Sequence, residues 1–165
     1  MQRSVIAGSI IAFVAAALAA AWILSTVIPA NGRAATPHGD PAAFVSQVVR
    51  LIVADDYDSA WISLYPAHQQ VATKSEYIAC EQKTPVGSTL RAIDVVRVAD
   101  RLLRIPGEPQ RVPVKAVTLR ITLVDTLGTK NAFSHTFNAV PAGSQWAWIL
   151  TPSRYELYRT DGCES

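Results

Sequence analysis

A chain of 165 residues with a net charge of +2 is too weakly basic to argue for a nucleic-acid partner. Its three histidines, His38, His68 and His135, are scattered, and its two cysteines, Cys80 and Cys163, lie far apart, so no metal-ligand spacing exists. Gly-x-Ser-x-Gly and phosphate-loop patterns are missing too, which leaves no metal, cofactor or activated nucleophile to expect.

After a four-residue tail with Arg3, residues 5–28 run without a charge. Roughly 20 apolar residues cross a hydrocarbon core of about 30 Å. Trp22 stands near the far end, where an indole favours the interface. A cleaved secretory signal is the alternative, because Ala17-Leu18-Ala19 and Ala19-Ala20-Ala21 fit a small-x-small site. Cutting there would leave Trp22-Ile23-Leu24 as an apolar N-terminus with nothing to bury it, so an uncleaved anchor is the expectation. The short tail stays in the cytoplasm, and the rest is delivered across the membrane as a single-pass protein, or secreted if the segment is cut.

Residues 29–39 hold Pro, Asn, Gly and Thr without a period and read as a linker. Asp40-Pro41 then opens a domain over residues 40–165, with Asp as N-cap and Pro at the first helical position. Phe44, Val48, Leu51 and Ile52 recur at helical spacing, which predicts a helix over 41–54. Asp56 caps a second helix through Trp61, Leu64 and Tyr65. Pro66 breaks that helix, with room for another turn at His68-Gln69-Gln70-Val71. Thr73-Lys74-Ser75-Glu76 is a capping box and predicts a third helix over 74–82.

The period then changes. Residues 89–99 are rich in Val and Ile, and residues 111–125 alternate, with Val117, Leu119, Ile121 and Leu123 on one side. Turn residues at 127–131 and 141–144 separate two further strands over 132–140 and 145–150. Short turns between successive strands imply an antiparallel meander. Residues 151–165 read as a tail. Helices first and strands after give an α+β domain, three helices packed on one face of a curved four-stranded antiparallel sheet. Cys80 and Cys163, in an exported chain, are expected to pair.

The order of elements, with Asp56-Tyr57-Asp58-Ser59-Ala60-Trp61, Leu64-Tyr65-Pro66-Ala67-His68, the late Cys and Trp146-x-Trp148-x-Leu150, resembles exported bacterial domains of the NTF2-like (cystatin-like) fold over about residues 40–163. That resemblance implies a cone between helices and sheet, and it implies no activity, because the fold hosts enzymes, pockets and scaffolds alike. An anchor followed by such a domain is similar in layout to scaffold subunits of secretion assemblies and to accessory proteins of lipid importers.

Several residues are candidates for chemistry. The cluster Asp55, Asp56 and Asp58 fails as a calcium loop, since Ala60 and Trp61 fill positions that need a ligand and a glycine, and helix capping is its expected role. Trp61, Tyr65, Tyr77, His135 and Trp148 are expected in the core or lining the cone, with His135 as a hydrogen-bonded core histidine. Tyr65, Tyr77, Asp94 and His135 have types that ketosteroid-isomerase-like enzymes use, but they match no position of that family. From Lys83 to Lys130 there are nine bases and four acids, and Arg101, Arg104 and Arg111 bracket a hairpin tip expected to project. Their role is either solvation or contact with an anionic partner. The expectation is a non-catalytic, membrane-held interaction domain whose partner is a protein or a lipid-like molecule. A ligand-binding module and an enzyme built in the cone stand as alternatives.

Overall fold

A computed structural model describes residues 37–160, 162 and 163. The predicted tail and membrane segment (residues 1–28) and most of the linker lie outside them. Among the described residues, no helix is long and apolar enough to cross a membrane.

The domain is α+β. Helices α1 (Pro41–Val53), α2 (Tyr57–Ile62), α3 (Pro66–Val71) and α4 (Lys74–Lys83) precede strands β1 (Thr89–Arg104), β2 (Arg111–Val124), β3 (Lys130–Ala142) and β4 (Gln145–Trp148). The strands form one open antiparallel sheet in the order β1-β2-β3-β4, as the short turns imply. Helix α5 (Pro152–Thr160) follows. Two features depart from the expectation. The turn around His68 is a helix of its own, with Pro66 in its first turn, so four helices precede the sheet instead of three. The tail also folds, because Thr151-Pro152 repeats the Asp40-Pro41 device: the Thr151 hydroxyl accepts from the Arg154 amide at 3.3 Å.

Local capping explains the helix starts. The Asp40 carboxylate accepts from the amides of Ala42 and Ala43 at 3.1 and 3.2 Å. Thr73 accepts from the Glu76 amide at 3.4 Å, and its hydroxyl donates to the Glu76 carboxylate at 3.5 Å. The reciprocal half of that box therefore runs between side chains and does not reach the Thr73 amide.

Helix α1 lies across one face of the sheet. Val45 and Val49 pack there on Val117, Leu119 and Ile121, which share a face because side chains alternate along a strand. Full burial of each such side chain contributes roughly 1.5–3 kcal/mol. A second cluster on the same side joins Tyr57, Leu64, Tyr77 and Trp148 to Tyr155 and Tyr158 of α5. Val114 and Val140 point to the opposite face, where Ile105 from the β1–β2 hairpin and Tyr65 cover them. Leu64 extends the sheet beyond β4 by one parallel bridge to Trp148, so that end of the edge is covered.

The Cys80–Cys163 disulfide is present, with 5.1 Å between the Cα atoms, and it ties α4 to the segment after α5. Lys83 adds a hydrogen bond to the Cys163 carbonyl at 2.9 Å.

Candidate functional site

Most aromatic polar groups are already used inside the fold. The Trp61 indole donates to the Ala72 carbonyl at 2.7 Å, Trp148 to Ala60 at 2.8 Å and Trp146 to Gly39 at 3.0 Å. Tyr57 donates to Asp55 at 2.6 Å, and burial together with that carboxylate pushes its hydroxyl up to about 12. In the acidic cluster, Asp56 caps α2 through the Ser59 amide, and Asp58 pairs with Lys74. Asp56 thus takes the expected capping role, whereas Asp58 joins α2 to α4 through Lys74 and Asp55 accepts from Tyr57.

The buried, hydrogen-bonded histidine is His68, not His135. His68 is fully buried. Its Nδ1 accepts from the Leu150 amide at 3.0 Å, which leaves Nε2 to carry the proton and donate to the Pro106 carbonyl at 3.1 Å. Burial holds the imidazole below its usual pKa, so the neutral ring is the stable one. Tyr65 and Tyr155 flank it at 5.8 and 4.9 Å between ring centres.

This node corrects the projecting hairpin. The tip between β1 and β2 folds back: Ile105 is buried, the Pro106 carbonyl accepts from His68, and Glu108 accepts from the Tyr65 hydroxyl at 2.8 Å. That carboxylate and, first, burial push Tyr65 up to about 12. Gly107, at φ +84°, sits where a Cβ would lie 2.8 Å from the Tyr155 hydroxyl oxygen. Arg101, Arg104 and Arg111 nevertheless remain exposed, with Arg104 and Arg111 directly opposite each other across the two strands.

A cleft of about 470 Å³ opens where β4 ends. Beyond Ala139, the outer edge of β3 has no strand beside it among the described residues. The chain leaves β4 at Trp148 and runs through Ile149 to Pro152, and the gap between that run and residues 135–138 of β3 forms the cleft. Its apolar walls come from Ile52, Leu103, Phe137, Trp148, Ile149 and Leu150. Of the aromatic residues singled out from sequence, Tyr77, His135 and Trp148 line it, whereas Trp61 and Tyr65 are among the side chains that do not. His135 is exposed and rests edge-on against Phe137, 4.7 Å between centres.

The polar lining has an internal order. Glu81 is held by Arg154, to which it is paired, and by the Tyr158 hydroxyl at 3.2 Å. Arg154 also stands 5.7 Å over the Tyr158 ring. Tyr77 is almost wholly buried, and burial raises its hydroxyl far above the ordinary range. It therefore stays a neutral hydrogen-bonding group in the cleft wall. Glu81, Arg154 and Phe137 were not anticipated as site residues. The only hints were the Thr-Pro cap that starts α5 and the Arg154/Tyr158 spacing of four, which places both side chains on one helix face.

No protein-family model matches the chain, and no curated protein matches it.

Proposed function

We propose that this is a non-catalytic binding domain, held at the membrane by residues 5–28, whose cleft takes the apolar portion of a lipid-like molecule. The observation that carries the reading is the cleft at the end of β4, apolar in its walls and within the size range of small-molecule sites, with a neutral Tyr77 in its lining. Exposed Arg104 and His135 also line it and suit a polar or anionic end. A binding role is favoured over acid–base chemistry because the carboxylate in the lining, Glu81, is already committed to Arg154 and Tyr158. The disulfide supports an extracytoplasmic location. The order of helices then meander supports an NTF2-like assignment. Contact with a second protein is the other reading, favoured by the outer edge of β1, which no strand covers among the described residues.

The test is photo-crosslinking of the full chain, in its membrane, with a photoactivatable fatty acid. Adducts are expected on peptides containing residues 135–138 or 148–152. Asn138→Trp, which fills the cleft from its strand side, is expected to lower labelling about tenfold with the far-ultraviolet circular dichroism and unfolding temperature unchanged. Equal labelling in that variant, or adducts confined to other peptides, would refute the assignment.

A further inference from the structure

Strand β1 is an edge strand of 16 residues, with no neighbour on its outer side among the described residues. Long exposed edges template pairing with other chains, and proteins blunt them with charges and bulges. Here the edge is also apolar: Val95, Val96 and Val98 are 49, 56 and 43% exposed. Two bulges interrupt its pairing with β2. At the second, Val95 lies opposite Leu119 and Arg97 opposite Thr118, so Val96 is an extra residue.

That extra residue changes which side chains share a face. In a regular strand, positions 94 and 97 point to opposite faces. With the bulge, Asp94 lies on the face of Arg120 and Arg97 on the face of Thr118, which is one and the same face. Likewise Ile93 and Val98, opposite Ile121 and Val117, both lie on the face that α1 covers. The alternation of faces is therefore symmetric about the midpoint between Val95 and Val96.

From this symmetry we infer that β1 pairs antiparallel with β1 of a second copy, about a two-fold axis passing between Val95 and Val96. The axis stands perpendicular to the sheet and preserves its faces, so only positions on a common face can meet across it. In this register Asp94 meets Arg97 of the second copy, twice by symmetry. Ile93 meets Val98, Ala92 meets Ala99 and Val95 meets Val96. Neighbouring registers fail: centring on Asp94 or on Arg97 sets like charges against each other, and centring on Val95 or Val96 sets Asp94 and Arg97 against apolar residues. The charges on this edge thus repel a stranger and complement a second copy. The result is one continuous sheet of eight strands.

The experiment is disulfide trapping of the full chain in membranes. Ile93→Cys and Val98→Cys are placed together in one chain. Within a copy they stand about 13–16 Å apart and cannot bridge, whereas across the axis they are directly opposite. Mild oxidation is expected to give a linked dimer from the double variant and none from either single variant. Adding Asp94→Arg, or Arg97→Asp, is expected to lower the linked fraction by about an order of magnitude, and the two reversals together to restore it. Should the cysteine at 93 disturb packing, as read by a lowered unfolding temperature, Ala92→Cys with Ala99→Cys samples the same register. Absence of a linked dimer from both pairs overturns the inference. Equal linking by single variants, or linking indifferent to the charge reversals, overturns the register.

Discussion

Replacing His68 with phenylalanine keeps a ring of similar size between Tyr65 and Tyr155 but removes both nitrogens. The Leu150 amide then loses its partner inside the core, and the Pro106 carbonyl loses its partner at a part-buried position. The buried amide costs about 1–3 kcal/mol and the part-buried carbonyl less, so the variant should lose about 1–4 kcal/mol, a large share of the 5–15 kcal/mol typical of a domain. Urea unfolding followed by tryptophan fluorescence at about pH 7.5 measures it. The pH dependence gives an independent check. Burial lowers the imidazole pKa in the folded state. The unfolded chain therefore binds the extra proton first, as pH falls below about 6.5. Stability is complete above that value. It declines by up to about 1.4 kcal/mol per pH unit down to the folded pKa, below which His68 is charged in both states. His68→Phe removes this part of the slope. A loss under about 1 kcal/mol, or an unchanged slope between about pH 7 and pH 5, would show that the buried ring is not the joint described above.

Two further predictions concern the same end of the molecule. The disulfide spans 83 residues, which the chain-entropy account values at about 4.5 kcal/mol, so Cys80→Ser with Cys163→Ser should lower the melting temperature by roughly 15 °C. A shift of only a few degrees in calorimetry would mean that α5 is held chiefly by Arg154, Tyr155 and Tyr158. Gly107→Ala combines a left-handed φ of +84° with a Cβ 2.8 Å from the Tyr155 hydroxyl oxygen, and should cost about 1–3 kcal/mol in urea unfolding. No measurable cost would mean that the hairpin tip and α5 separate easily.

The sequence carried the architecture wherever the rule was local. Asp40-Pro41 and Thr73 mark helix starts that the structure contains, and the alternation around Val117 and Leu119 marks the sheet face that α1 covers. Residues 151–165 read as a tail although Thr151-Pro152 carries the same signal as Asp40-Pro41, because Tyr155 and Tyr158 are too few apolar positions to show a helical period. Strand β1 runs to Arg104, beyond the expected residue 99, since the charges at Arg101 and Arg104 resemble those of a solvated tip. The importance of His68 was hidden for another reason. Helix α3 is six residues long, too short to show a period, and both partners of the ring come from distant parts of the chain. The cleft is illegible for the same reason, because its walls come from α1, α4, α5, three strands and the run after β4. The bulge at Val96 is a property of register, which no pattern within one strand records.

The position of the two cysteines also sets an order of events during synthesis. Cys163 follows Cys80 by 83 residues, and the whole sheet is encoded between them. At roughly 5–20 residues per second, about 4–17 s pass between the making of one thiol and the arrival of its partner. Throughout that interval Cys80 has no correct partner within its own chain, while any oxidant or foreign thiol it meets can react with it. Oxidation that comes early caps or misdirects Cys80. Oxidation that comes after α5 has docked on α4 closes the native bond. Yield of the folded protein should therefore depend on when the oxidant is supplied more than on how much of it is present.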